Sequence, residues 1–187
     1  MSKTIITLPS LGLTDPGADK EIFFDDSAGT LALQSSGKII QTVAQNFSSY
    51  NTLNTNGRSD LFTQAITPIV ASSKILVSFS LAMGNNVTGV SAINLQRDVN
   101  SGGYSDIGQS SSAGTHNGTA GGSYDADNNV LRQISYVYLD SPSYSVGNAI
   151  TYKLQYYQNS TSNSFINRTD SNAIRGTSNI VLMEIVA

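Results

Sequence analysis

Cysteine and tryptophan are absent, histidine occurs once, and only 12% of the residues carry charge. Each shortage closes off a class of function. Without cysteine there are no disulfides, thiolate nucleophiles or cysteine-held zinc, so stability must come from packing and from partner subunits. The single histidine, His116, sits in a Ser/Gly-rich stretch and reads as a solvated loop residue rather than a general base. Ten basic residues are scattered singly against thirteen acidic ones, for a net charge of −3, and no stripe of Lys and Arg is offered to a nucleic acid. No apolar run reaches the ~18 residues of a membrane span, and the first residues lack a charged-then-apolar leader, so neither membrane insertion nor secretion is expected. A Gly-x-Ser-x-Gly elbow and a phosphate-cradling glycine loop are both missing, and a sugar-cleaving cleft would lack tryptophan platforms. The chain is expected to be no enzyme, with no cofactor and no metal.

Helical periodicity is missing as well. What fills the chain is Ser, Thr, Asn and Gly between short β-prone runs, a composition suited to strands and tight turns. Residues 74–83 alternate most clearly, with Ile75, Val77, Phe79 and Leu81 on one face and Lys74, Leu76, Ser78 and Ser80 on the other. Residues 149–158 place Ile150, Tyr152, Leu154 and Tyr156 on one face. Segments 38–45, 60–66, 90–97, 130–139, 163–168 and 179–186 also read as strands, the last nearly continuously apolar. Pro68 marks a strand end, while Gly84-Asn85-Asn86 and Asp140-Ser141-Pro142 read as turns. Residues 100–129 read as long loops around a short strand near 104–107. About eight to ten short strands with regular turns predict an all-β fold, an antiparallel two-sheet sandwich or jelly roll. The sandwich is expected over 37–187, preceded by an extended N-terminal arm over 1–36.

The arm carries a turn at Gly12-Leu13-Thr14-Asp15-Pro16-Gly17 and a small hairpin around Asp26-Ser27-Ala28-Gly29. A lone hairpin is marginal in water, so the arm must rest on the main domain, a neighbouring subunit or another protein. Ile5, Leu8, Leu13, Phe23 and Phe24 are its candidate partner-binding residues. Asp125-Ala126-Asp127-Asn128-Asn129 offers oxygens at alternating positions, as a calcium loop would, but lacks the later glutamate and flanking helices. An ordinary Asx-rich loop is the expectation there. Nine tyrosines are present, and Tyr136, Tyr138, Tyr152 and Tyr156 fall on two strands. Two roles stay open for them: packing one sheet face with hydroxyls at the rim, or forming an oligomer interface.

Taken in order, several segments resemble a β-sandwich module of virion structural proteins of tailed phages, marine and cyanobacterial ones especially. They are Gly37-Lys38-Ile39-Ile40-Gln41-Thr42-Val43, Asn94-Leu95-Gln96-Arg97-Asp98, Leu139-Asp140-Ser141-Pro142, Thr151-Tyr152-Lys153-Leu154, Phe165-Ile166-Asn167-Arg168 and Ile180-Val181-Leu182-Met183-Glu184-Ile185. The similarity spans about residues 37–187, and its motifs are short. Phe23-Phe24-Asp25-Asp26-Ser27-Ala28-Gly29 also looks like the hairpins that precede such modules in phage fibres. The resemblance implies a component of the phage particle, assembled in the host cytoplasm, commonly trimeric and without catalysis. Fibre proteins usually carry longer shafts than the arm here. The expectation is therefore a capsid cement (decoration) protein, a homotrimer whose arm clamps neighbouring subunits of the major capsid protein. A tail-fibre or receptor-binding tip protein is the alternative, motivated by the polar loops at 100–129.

Overall fold

Alternating apolar side chains turn most of the chain into strands in the computed structural model, which describes residues 37–85, 91–111, 117–121, 130–159 and 161–187. The strands are β1 (Ile39–Phe47), β2 (Asn51–Leu53), β3 (Gly57–Ile66), β4 (Lys74–Asn85), β5 (Ser91–Val99) and β6 (Ser105–Ile107). They continue as β7 (Ala120–Gly121), β8 (Leu131–Asp140), β9 (Ile150–Gln158), β10 (Ser164–Ile166) and β11 (Ser178–Ile185). The expectations for Ile5, Leu8, Leu13, Phe23, Phe24, His116 and the cluster at 125–129 fall outside the described residues.

All strand pairings are antiparallel, and they form two sheets. In the first sheet β4 is the hub. Its 12 residues are long enough for β11 to pair along 74–80 and β10 along 83–85, while β8 lines the opposite side over 75–84. Beyond β11 lies β1, and beyond β10 lies β2. The second sheet runs β3-β9-β5, with the short β6 and β7 both added to β5. This is the two-sheet antiparallel sandwich that the alternation predicts.

The inward residues are the expected ones. Ile75, Val77, Phe79 and Leu81 from β4 meet Ile150, Tyr152, Leu154 and Tyr156 from β9, with Ile93, Leu95, Ile180 and Leu182 completing a buried core. Burial of each such side chain stabilises the fold by roughly 1.5–3 kcal/mol before the entropy of ordering is counted. Phe47 of β1 stacks on Phe62 of β3 at 3.9 Å between ring centroids, closing the sandwich at one edge.

One turn needs correction, and two short strands were not foreseen. Gly84 and Asn85 do not turn the chain: they continue β4, where Gly84 pairs with Leu131 on one side and Phe165 on the other. A Cβ on Gly84 would collide with the carbonyl oxygen of Arg168 and come within 3.0 Å of the Thr169 Cα. The glycine therefore permits a close backbone approach. In the polar stretch after Asn100 the short strand expected near 104–107 is present as β6, and β7, which was not expected, also joins the second sheet. Thr119 fastens it: its Oγ1 accepts the Leu95 N–H at 2.9 Å and donates to the Ile107 carbonyl at 2.9 Å. The short β2, too brief to show alternation, was not foreseen.

Candidate interaction surfaces

The four candidate tyrosines all point inward. Tyr152 and Tyr156 have no exposed surface, so the oligomer-interface role is corrected for both: they are core residues. The Tyr152 hydroxyl donates to Asp140 Oδ2 at 2.7 Å, and Arg97 Nη1 donates to Asp140 Oδ1 at 2.7 Å. Because Asp140 ends β8 and Arg97 lies on β5, this triad ties the two sheets together. Burial raises the Tyr152 pKa far above its ordinary value, and the Asp140 charge and hydrogen bond add to the effect, so the phenol stays a proton donor. Tyr156 shares the Ser164 hydroxyl at 3.0 Å, which also lies 2.7 Å from Asn85 Oδ1 and 2.7 Å from Gln158 Oε1. Tyr136 and Tyr138 are half-buried. Tyr136 sits 6.2 Å from the Phe79 ring, and Tyr138 lies against Gly108.

Outward residues of the second sheet form a polar network. Arg58 Nη1 reaches both Asp106 oxygens at 2.8 and 2.9 Å, and Gln96 Nε2 donates to the same carboxylate at 2.9 Å. Two residues along β3 from Arg58, Asp60 accepts from Gln155 and from Lys153 Nζ at 3.2 Å, while Lys153 also lies 3.9 Å over the Tyr104 ring. The Gln155 hydrogen bond holds the Asp60 pKa below its ordinary value; partial burial opposes this and Lys153 reinforces it. For Asp106 burial acts upward, yet the bonds from Gln96 and Arg58 and the Arg58 charge outweigh it, so its pKa is also lowered.

The outward face of the first sheet is built differently. Register places Leu139, Leu76, Met183 and Thr42 in one cross-strand row, and Val137, Ser78, Val181 and Ala44 in the next. A third row, Ser135, Ser80, Asn179 and Asn46, is polar, and Ser80 bonds to Ser135 at 2.8 Å and to Gln133 at 2.6 Å. No residue in these rows is charged. Val137 is 58% exposed and Leu139 48% exposed. Beyond the third row the chain covers itself: Gly84 lies under Arg168, and Gly176 sits so close to Ala82 and Leu131 that a Cβ would come within 2.9 Å of each.

At the same end as Leu139, Glu184 is fully buried and accepts the Ile69 N–H at 3.1 Å and the Val70 N–H at 3.0 Å. This carboxylate pins the β3–β4 connection and leaves Ile69 60% exposed. The Tyr144 hydroxyl holds the connection from the other side, donating to the Val70 carbonyl at 2.7 Å.

No family model matches the chain, and no curated protein matches it. Among solved structures it is similar to a chain in the structure of infectious bursal disease virus Gx strain, at 14% identity with a TM-score of 0.33. The similarity covers 90% of this chain and 42% of that one, so this chain spans less than half of that neighbour's length. The phage resemblance thus rests on the order of the sequence segments quoted above.

Sequence reasoning missed the outward row residues as a surface. Their signal was present: 136–139, 180–183 and 75–77 are apolar at both parities, unlike the alternating strands, as expected of strands covered on both sides.

Proposed function

We propose that this chain is a non-catalytic structural component of a virus particle, a capsid cement protein of a tailed phage. One observation carries the reading: the module has a charge-laced outward face on one sheet, and on the other a face whose three central cross-strand rows carry no charge and are half apolar. Such asymmetry suits a subunit that is half solvated and half covered in an assembly. In this reading copies associate as a homotrimer on the major capsid protein. Ile5, Leu8, Leu13, Phe23 and Phe24 of the arm add grip by pairing with exposed sheet edges of capsid subunits. Purified chain should bind and stabilise procapsids at physiological salt, and absence of binding counts against it. Copy number in purified particles is an independent check, with on the order of hundreds expected for a decoration lattice.

A second reading, a receptor-binding tail tip, is favoured by the Tyr50 ring. It is 55% exposed and stacked by the Arg175 guanidinium at 4.3 Å, a platform suited to a saccharide. Binding to host cells that is lost in Tyr50→Ala, with few copies per particle, would select it.

A further inference from the structure

We infer that Arg168, Arg175 and Tyr50 form a binding site for an acidic saccharide. The inference deepens the tail-tip reading, whose Tyr50 surface it rests on, by naming the ligand class.

The backbone sets the two arginines against each other. After β10 the chain doubles back, and Arg168 and Arg175 face one another as an antiparallel bridge. The Thr169 N–H donates to the Ile174 carbonyl at 3.1 Å, and the Gly176 N–H to the Asn167 carbonyl at 3.1 Å. Residues directly opposite in an antiparallel pair project their side chains to the same side, and like charges there repel. Both guanidiniums gather on one ring, with the Arg175 Cζ 4.3 Å and the Arg168 Cζ 5.5 Å from the Tyr50 centroid. Three other cations of the sandwich each sit against a carboxylate: Arg58 on Asp106, Arg97 on Asp140 and Lys153 on Asp60. Among the described residues no carboxylate lies at ion-pair distance from Arg168 or Arg175. Arg168 meets only neutral acceptors, the Thr169 and Asp170 carbonyls at 3.2 and 3.1 Å and the Thr52 hydroxyl at 2.8 Å. Its Nε–H is buried without an acceptor.

The repulsion persists because the loop is fixed from several sides. Asn167 holds a left-handed backbone with φ 60°; its Nδ2 donates to the Phe47 and Ser49 carbonyls at 2.9 Å each, and its Oδ1 accepts the Ser178 hydroxyl at 2.7 Å. The Ser49 bond ties the segment carrying Tyr50 to the same loop. Arg168 rests on the buried Phe165 ring at 4.3 Å. A like-charged pair held on such a frame is preorganised for an anion, whose arrival relieves the repulsion. Carboxylate and sulfate fit, because guanidinium donors match their paired oxygens. The Tyr50 ring is 55% exposed and offers an apolar surface to a sugar, while Ser49, Asn51 and Thr52 around it are uncharged hydrogen-bonding residues. A nucleic acid fits less well, since two cations match few phosphates and the chain's net charge of −3 repels a polyanion. A peptide is commonly read by strand addition, and the edge strand here, β2, has only 3 residues.

Titrating the isotope-labelled full chain with trigalacturonate, its methyl ester and a sulfated carrageenan oligosaccharide tests this through amide shifts. An acidic sugar should shift residues 49–52 and 167–176 saturably, with Kd on the order of 1 mM for one anion and one ring. The methyl ester keeps the rings and loses the charge, and should bind at least ~tenfold more weakly. Arg175→Gln and Tyr50→Ala should each weaken binding at least ~tenfold, whereas Lys38→Gln, which removes an exposed cation beyond the far end of β1, should not. Because Arg175 opposes Arg168, Arg175→Gln should leave the melting temperature unchanged or raised, which separates lost binding from lost folding. The inference is overturned if neither acidic sugar binds saturably up to about 20 mM, or if the methyl ester binds equally. It is overturned as well if hexaglutamate shifts the same amides with equal affinity, if Tyr50→Ala binds as the parent does, or if Arg175→Gln lowers the melt by several degrees. Acidic-sugar binding at this site by a chain that does not attach to host cells defeats the tail-tip reading and leaves this inference standing. Host-cell attachment lost in Tyr50→Ala, with the methyl ester bound as tightly as the acid, does the reverse.

Discussion

The two outward faces of the sandwich are made of the same kind of strand and solve exposure in different ways. On the β3-β9-β5 face each charged side chain has a partner: Arg58 with Asp106, Lys153 with Asp60, and amides of Gln96 and Gln155 between them. On the β1-β11-β4-β8 face the cross-strand rows grade from apolar near Leu139 to hydroxyl-rich near Ser135, and at the far end the chain roofs itself over Gly84. A face finished in solvent carries charges that hold one another in place. A face finished by another surface carries none. The difference therefore reads as a division of labour between solvation and contact, and substitutions on either side test it.

The largest effect is expected at the boundary where self-cover begins. Gly84→Val places two methyls against the Arg168 carbonyl and the Thr169 backbone, which cannot yield as a flexible side chain would. Overpacking against backbone costs about 3 kcal/mol, at the upper end of the usual range. A thermal melt should fall by several degrees. Melting unchanged from that of the parent chain would mean that the roof is loosely placed and that the bare face extends further down the sheet than the register implies.

Much of this was legible in the residues, for particular reasons. Ile75, Val77, Phe79 and Leu81 alternate cleanly because β4 faces a core on one side, and the same holds for Ile150 through Tyr156 in β9. The sandwich follows from them. The uncharged face was only half legible. Met183, Val181, Val137 and Leu76 sit in runs apolar at both parities, which signals two-sided cover, but their adjacency depends on pairings between residues from 59 (Ser78 and Val137) to 107 (Leu76 and Met183) positions apart. A single sequence does not state those pairings. Gly84 misled for a related reason: beside Asn85 and Asn86 it has the chemistry of a turn, and only the neighbouring Arg168 backbone shows why a side chain is excluded. The tyrosines were ambiguous because a large amphipathic ring serves a core and an interface equally well. The hydrogen bonds of Tyr152 to Asp140 and Tyr156 to Ser164 decide for the core.

An intermediate effect is expected from Asp106→Asn on the solvated face, and its pH dependence separates charge from packing. The Asp106 pKa is held below its ordinary value in the folded chain, so the carboxylate's contribution is complete above the unfolded value and is lost as pH falls through the folded one. With both partners partly exposed, about 0.5–1 kcal/mol is at stake. Denaturant unfolding at neutral pH should show that gap between the parent chain and the variant, and the gap should shrink as the pH is lowered through the acid range. A gap that persists in acid would show that shape rather than charge holds Arg58, Gln96 and Asp106 together.

An effect of similar size at low salt, and the smallest at high salt, belongs to Lys153→Gln. Lys153 Nζ reaches Asp60 at 3.2 Å and lies 3.9 Å over Tyr104, and its side chain is only 12% exposed although the Asp60 side chain is 62% exposed. Its ammonium lies between the exposed Asp60 carboxylate and the Tyr104 ring, so the substitution keeps most of the side-chain packing and removes the charge. With Asp60 well exposed the pair contributes a few tenths of a kcal/mol, screened by salt, and a cation over a partly exposed ring adds about 0.5 kcal/mol more. A loss of about 0.5–1 kcal/mol at low salt that shrinks by half or more at about 1 M NaCl is the expected outcome. A loss above about 2 kcal/mol that ignored salt would require a desolvated pair. In that case the β3-β9-β5 face would be covered as well, and the contrast between the two faces would collapse.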